Sequence, residues 1–314
     1  MKLLVTGGAG FIGSHFVRHI LKTYPDYSVI NLDKLTYAGD LNKLSDVANH
    51  PRYRFVQGDI VDRSRVDSLA SEVNAIVHFA AETHVDRSIA DASPFLQTNV
   101  IGTQVLIEAS LKHKHQRYVQ VSTDEVYGDI EVGAFTETSP LKPSSPYSAS
   151  KAAGDMLVMA AVRTYGLPGL ISRCSNNYGP HQYPEKLIPF FVQKLLKGET
   201  VPIYGDGSNV RDWLHVEDHC RAVDLMLHRG KIGEVYNVGA HNEHTNLEIT
   251  QRLLRLLNLP EDRITFVKDR PGHDVRYAID SSKLQNELGW KPTVDFEAGF
   301  AETISFYQTN LVKN

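Results

Sequence analysis

Lys2-Leu3-Leu4-Val5-Thr6-Gly7-Gly8-Ala9-Gly10-Phe11-Ile12-Gly13 opens the chain. A short apolar run, glycines at 7, 10 and 13, and then the start of a helical period spell out a strand, a tight turn and a helix. Glycines so placed let the backbone turn sharply and come close to a pyrophosphate, with the helix N-terminus facing the anion. A glycine triplet alone is also a common structural turn. Its setting between strand and helix, and Asp33 at the end of the second apolar run, give it a dinucleotide-binding reading. An acidic side chain there takes ribose hydroxyls and repels a 2′-phosphate, so NAD is expected rather than NADP. The adjacent Lys34 weakens that preference slightly.

The alternation continues outward from this unit. Short β-branched runs at Lys2–Thr6, 28–32, 54–57, 75–79, 118–122 and 169–173 alternate with helical periodicity over Phe11–Thr23, 93–112 and Pro146–Tyr165. The expected fold is α/β, a doubly wound parallel (Rossmann) sheet with right-handed crossovers. Beyond Arg173 the texture changes. Residues 175–180 and the Arg211-Asp212-Trp213 stretch read as loop, Leu187–Leu196 as helix, Val201–Tyr204 as extended, 217–228 as helix and 234–238 as a strand, with helices near 246–257, Ser282–Leu288 and 296–308. Residues 1–173 with about 211–240 are therefore expected to form the dinucleotide-binding domain. Residues 174–210 and 241–314 are expected to form a smaller C-terminal α/β lobe, with the cleft at the carboxyl ends of the strands.

Composition excludes several classes. The net charge is −4 with no basic stripe, which argues against nucleic acid as a partner. Two cysteines, Cys174 and Cys220, provide no disulfide framework and suit a reducing compartment. No apolar run is long enough to span a membrane, and the first strand is too short and glycine-rich for a secretory signal, so a cytoplasmic protein is expected. His15 and His19 have the four-residue spacing of metal ligands but lack a third ligand, so no metal is expected. His113 and His115 sit at a basic helix end, where positive charge suits the macrodipole.

The chemistry concentrates in Ser122-Thr123-Asp124-Glu125 and Tyr147-Ser148-Ala149-Ser150-Lys151. Tyr147 and Lys151 are four apart and share a helix face. An ammonium near a phenol favours the phenolate, a base able to take a proton from a sugar hydroxyl. Asp124 and Glu125 could supply a second acid/base couple, or cap the following helix. Asp59, after the third strand, could meet an adenine amino group or cap a helix. Ala80 and Ala81 after the fourth strand let the backbone lie against a cofactor, and Asn99 within a helix needs a polar partner. Arg211 could grip a diphosphate or be a solvated surface residue.

These motifs resemble the extended short-chain dehydrogenase/reductase superfamily over essentially the whole chain. Within it, residues 122–128, 32–39, 174–180, Arg211-Asp212-Trp213 and 269–273 are similar to the signature of the dTDP-glucose 4,6-dehydratases. Sugar epimerases of the superfamily usually lack the Asp-Glu pair. The resemblance implies an NAD-dependent lyase that makes dTDP-4-keto-6-deoxy-D-glucose from dTDP-glucose, for deoxysugar biosynthesis of the rhamnose type. It implies Tyr147 as base of an oxidation supported by Lys151, Thr123 on the sugar 4-hydroxyl, Asp124 as acid and Glu125 as base of an elimination. Cofactor contacts implied are Gly7, Gly10, Phe11, Ile12, Gly13, Asp33, Lys34, Leu35, Thr36, Asp59, Ile60, Ala80, Ala81, Glu82, Thr83, Thr98, Tyr147, Lys151 and Asn177. Substrate contacts implied are Thr83, Thr123, Asn176, Lys186, Leu187, Pro202, Ile203, Tyr204, Arg211, Asn242, Asp269, Arg270, Pro271, Gly272 and His273. A homodimer through helices 93–112 and Pro146–Tyr165 is also implied. A 4-epimerase, a decarboxylase or a non-catalytic NAD-sensing protein on the same fold are the competing readings.

Overall fold

The computed structural model describes residues 1–269 and 273–311. The chain first builds β1 (Lys2–Thr6), α1 (Phe11–Thr23), β2 (Ser28–Asp33), β3 (Tyr53–Gln57), α2 (Arg63–Ala70), β4 (Ala75–His78) and α3 (Val85–Ala90). One long helical stretch follows, made of α4 (Ser93–Phe95), a π-helical segment over Leu96–Gly102, and α5 (Thr103–Lys112). Then come β5 (Arg117–Thr123), a 3-10 turn at Asp124–Val126, α6 (Pro146–Tyr165), β6 (Gly169–Cys174) and β7 (Asn176–Tyr178). The rest is α7 (Leu187–Leu196), β8 (Val201–Tyr204), β9 (Val210–His215), α8 (Val216–Arg229), β10 (Val235–Val238), β11 (Glu243–Thr245), α9 (Asn246–Leu256), β12 (Ile264–Val267), α10 (Ser282–Leu288) and α11 (Phe296–Leu311).

Seven parallel strands form the main sheet in the order β10-β6-β5-β4-β1-β2-β3. This is the expected doubly wound topology. Successive strand residues feed opposite faces, as the two-residue period requires. Leu3, Val5, Ala75 and Val77 pack with Phe16, Val17 and Ile20 of α1 and with Val223 and Met226 of α8. Leu4, Ile76 and Tyr118 pack on the other side with Val66 of α2, Leu106 of α5 and Val158 of α6. Strand order reverses between β1 and β4, and the carboxyl ends splay apart there to leave a crevice. A third core gathers Tyr178, Phe191, Val192, Trp213, Leu253 and Phe300 from the C-terminal half. It joins the three-stranded sheet β11-β9-β7 and the β12-β8 pair to α7, α9 and α11.

Several expectations need correction. Residues 176–178 and 210–215 are strands rather than loop, and β9 is the centre of its sheet. Their polar residues conceal a buried strand, because Asp212 spends its carboxylate on the backbone N–H groups of Ala240 (2.9 Å) and Asn242 (2.7 Å). The helix at 93–112 is not uniform. It widens to π geometry around Asn99, whose carboxamide accepts from Glu82 N–H and donates to Glu82 O and Ser150 Oγ. His115 is buried and donates to Ala70 O, and burial lowers its pKa, so it is no cation at a helix end. His15 turns to Pro180 O and His19 to Asp224. No described helix is long and apolar enough to cross a membrane.

Asp224 of α8 ties this helix to α1 and to the segment after it. Its carboxylate meets His19 Nε2 (2.6 Å), the Tyr24 hydroxyl (2.9 Å) and His228 Nδ1 (2.8 Å). Burial pushes its pKa up, but the hydrogen bonds from His19, His228 and Tyr24 outweigh burial and hold it well below the usual carboxylate range. The same contact raises His228. Stabilisation from the lowered Asp224 is present above the ordinary aspartate pKa and is lost on acidification. Stabilisation from the raised His228 is present below the ordinary histidine pKa and is lost as pH rises through its raised value. Asp224→Asn is thus expected to lower Tm at pH ~6 by a few degrees, from a loss of about 1–2 kcal/mol. By differential scanning calorimetry the deficit should shrink at alkaline pH, and a deficit that grows there would refute the assignment.

Candidate active site

The glycine turn shapes the floor of the crevice. Gly7 adopts φ +73°, and a Cβ on it would lie 2.5 Å from Ala80 N. A Cβ on Gly13 would lie 2.3 Å from Gly7 O. Both positions therefore need glycine, for conformation at 7 and for close approach at both. Gly10 precedes α1 and supplies no capping side chain, so the first N–H groups of a thirteen-residue helix are left for an anion. Asp33 ends β2 beside this turn, accepting from Ala9 N–H (2.9 Å) and Leu35 N–H (2.8 Å). Two glycine sites with no room for a Cβ, an open helix N-terminus and a carboxylate at the next strand end fit a dinucleotide.

One cavity joins most of the residues singled out in the sequence. Its wall carries Gly7, Gly10, Phe11, Ile12 and Gly13, then Asp33, Lys34 and Thr36 beyond β2, and Asp59 and Ile60 beyond β3. Ala80, Ala81, Glu82, Thr83 and Thr98 line it from β4 and the π segment. Thr123, Asp124, Glu125, Tyr147, Lys151, Asn176, Asn177 and Lys186 complete it. Asp59 is no helix cap, because Asp62 caps α2 while Asp59 pairs with Lys34 at 2.6 Å. The sequence reading missed Tyr37, Cys174, Gln182, Tyr183 and Glu185, which also line the cavity. Tyr37 and Tyr183 had a usable signal, being aromatic residues in polar loops. They meet edge to face at 5.4 Å, and Arg87 lies 4.0 Å over the Tyr37 ring.

Parallel strands bring the acid/base groups to one end of the sheet. β5 ends at Thr123, and its hydroxyl caps the 3-10 turn by accepting from Glu125 N–H. That turn carries both carboxyls into the cavity. Asp124 is 3 % exposed, and one of its oxygens, Oδ2, has no hydrogen-bond partner. Its pKa is pushed well above the carboxylate range, first by burial and then by the nearby Glu125 and Asp212 charges. Burial and these two charges thus favour the protonated form of Asp124.

Tyr147 and Lys151 share one face of α6, as their spacing requires, but the lysine does not lower the phenol as expected. Lys151 Nζ donates to Val121 O at 2.7 Å. Burial, followed by the Glu125 charge, pushes the Tyr147 phenol well above its ordinary pKa, with Thr123 opposing. Burial also lowers the Lys151 ammonium, with Asp155 opposing. Burial thus works against the charged form of both groups. Cys174 is likewise buried and its thiol is pushed up to about 12, in keeping with an inert role.

Other sequence-singled residues lie off this wall. Leu35 (φ +56°) contributes its N–H to Asp33. Leu187 opens α7, Pro202, Ile203 and Tyr204 form β8, and Asn242 knits to Asp212 and Trp213 of β9. Arg211 is no surface residue. It is 6 % exposed, donates to Asp274 O (2.9 Å) and stacks 4.3 Å from the Tyr277 ring centre. His273 Nδ1 meets Asp269 Oδ1 at 2.7 Å, and its ring lies edge-on to Tyr204. Arg270, Pro271 and Gly272 lie outside the described residues.

Residues 4–303 match the family model described as GDP-mannose 4,6 dehydratase. The chain is 52% identical to a dTDP-glucose 4,6-dehydratase of Actinoplanes sp., over 99% of this chain and 98% of that protein. It is 54% identical to the low-salt glycan biosynthesis protein Agl12 of Haloferax volcanii, over 98% of each chain. Among solved structures it is similar to DesIV, a dTDP-glucose 4,6-dehydratase of Streptomyces venezuelae crystallised with NAD and dTDP bound. That match has a TM-score of 0.97 and 54% identity, covering 99% of this chain and 98% of that one.

Gly13→Ala should keep the fold, since the added methyl meets the turn rather than the core, but distort the cradle. NAD affinity measured by isothermal titration is expected to fall at least about tenfold, a loss of about 1.4 kcal/mol. Unchanged affinity would dissociate the turn from the cofactor.

Proposed function

The chain belongs to the GDP-mannose 4,6 dehydratase family, and from that premise we propose that it is a dTDP-glucose 4,6-dehydratase, converting dTDP-D-glucose to dTDP-4-keto-6-deoxy-D-glucose and water with NAD as cofactor. The observation that carries the reading is the buried Asp124 carboxyl, adjacent to Glu125 on the cavity wall that also bears Tyr147 and Lys151. An oxidation alone needs the second pair and not the first.

When bound, NAD supplies a hydride acceptor for C4 and later the donor for C6, and its nicotinamide ring is cationic. In the proposed sequence Tyr147 takes the proton of the sugar 4-hydroxyl, with Thr123 holding that hydroxyl and Lys151 adding positive charge. Carbonyl character at C4 acidifies the C5 proton. Glu125 removes it while Asp124 protonates the departing 6-hydroxyl, so water leaves, and the proton held by Glu125 returns to C5 when C6 is reduced. Two neighbouring carboxyls can hold opposite protonation states because burial and mutual repulsion favour keeping one of them protonated.

The C-terminal lobe, 174–210 with 241–314, is proposed to hold the nucleotide diphosphate. Lys186 and Leu187 stand at the start of α7, whose N-terminus has no side-chain cap, and Asn176 opens β7. Thr83 would approach the sugar. Pro202, Ile203, Tyr204, Arg211, Asn242, Asp269 and His273 would surround the base and phosphates, with Asn177 on the cofactor side. A cytoplasmic setting is supported by two free, buried cysteines. A homodimer is supported by the exposed apolar residues Ile89, Leu96, Ile101, Met156 and Tyr165 on α3, the π segment and α6.

Purified protein given dTDP-glucose should form the 4-keto product without added reductant. Glu125→Gln should slow loss of water by on the order of hundredfold while C4 oxidation persists, seen as lasting reduced-nicotinamide absorbance. Dehydration at the parent rate in that variant would remove Glu125 from its role. Met156→Asp, at 59 % exposure, is expected to halve the mass in sedimentation equilibrium, and an unchanged dimer would exclude this face.

A further inference from the structure

Behind the cavity lies a buried polar group that the proposed chemistry does not use. Arg173, on β6, is 5 % exposed. Its Nε donates to Asp155 Oδ2 at 2.8 Å and its Nη1 to the Tyr127 hydroxyl at 2.9 Å. That hydroxyl donates in turn to Asn237 Oδ1 of β10 at 2.8 Å. Asp155 and Tyr127 are each 1 % exposed. The group therefore touches each element that bears a reacting side chain. Asp155 lies on α6 two turns past Tyr147 and one past Lys151. Tyr127 directly follows the turn that carries Asp124 and Glu125, and its N–H closes that turn onto Asp124 O at 2.9 Å.

The two sides are anchored unequally. The N-terminus of α6 has its own supports: the Ser145 and Ser148 capping box, Tyr147 N–H to Ser88 Oγ, Asn99 Nδ2 to Ser150 Oγ, and Lys151 Nζ to Val121 O. The 124–126 turn is held by the Thr123 cap, by Lys142 N–H on Val126 O, and by the Tyr127 side chain. Loss of the Tyr127 hydroxyl thus frees the elimination carboxyls more than the redox pair.

We propose that Tyr127 and Arg173 are positioning residues for the elimination step, with Arg173 acting as a shared bracket that sets the distance between the Asp124–Glu125 turn and the Tyr147–Lys151 helix. The proposal rests on the dehydratase reading. Tyr127 and Arg173 line no part of the cavity, so each acts through its neighbours.

Tyr127→Phe keeps the ring, its stacking on Phe135 at 5.1 Å and the turn's backbone, and removes one hydroxyl. Arg173→Lys keeps the charge facing Asp155 but replaces the planar fork, whose Nε and Nη1 reach the two partners separately, by a single nitrogen. In single-turnover experiments with dTDP-glucose, each variant is expected to oxidise C4 within about twofold of the parent rate. Each should lose water about ten- to a hundredfold more slowly, the size expected for ångström-scale misplacement. Reduced nicotinamide should accumulate and C5 proton exchange with deuterated solvent should slow in step. The double variant should be no worse than the poorer single one, because the two changes cut the same link. Equal slowing of oxidation and elimination, or additive losses, would overturn the proposal by marking a general packing role. Unchanged elimination would overturn it outright. If the parent protein neither oxidises nor dehydrates dTDP-glucose, the dehydratase reading itself fails, a result distinct from any of these.

Discussion

Parallel strand pairing is the constraint on which the rest depends. Every crossover returns the chain to the same side, so each strand delivers its last residue to one edge of the sheet. Thr6, Asp33, Gln57, His78, Thr123 and Cys174 are all strand-terminal residues, and the loops just beyond them supply most of the cavity wall. The reversal between β1 and β4 then opens the crevice at one place along that edge. Residues far apart in sequence meet there because the sheet permits no other exit. Lys186 Nζ reaches Thr83 O at 3.2 Å, tying the residue before α7 to the loop after β4.

Within that crevice, burial is the leading influence on four titratable groups. Asp124, Tyr147 and Cys174 are all raised with desolvation as the leading cause, and Lys151 is lowered by it. Each of these four groups is pushed towards its neutral form, which favours protonated Asp124 and Tyr147 side chains in the free protein.

Much of this was legible in the sequence because it depends on local spacing. The glycine turn, Asp33, the Tyr147–Lys151 face and the Asp124–Glu125 pair are each read from a few consecutive residues or from helical periodicity. Asn99 announced its need for a partner by sitting in a helix. What spacing could not supply was non-local satisfaction of polar groups. Arg211 and Asp212 look like loop residues until the carbonyls and N–H groups of distant segments are brought to them, and then they become buried strand. The phenol's pKa failed for the same reason. Sequence places the ammonium four residues away, whereas its hydrogen bond goes to the backbone of β5.

Arg173 shows how much such a group can determine. A buried ion pair is weak evidence for stability, since well-packed apolar residues of similar volume often do as well, while losing one partner costs about 3–5 kcal/mol. Its presence on β6 therefore calls for a reason other than stability. A guanidinium has fixed, planar donors, and two of them here aim at different structural elements, which an apolar residue could not do. A reaction that must oxidise, eliminate and reduce at adjacent carbons without releasing the sugar needs two acid/base couples held at a constant separation. In the proposed role a doubly engaged arginine between their supports fixes that separation, because neither partner can move away without stranding a buried donor or charge.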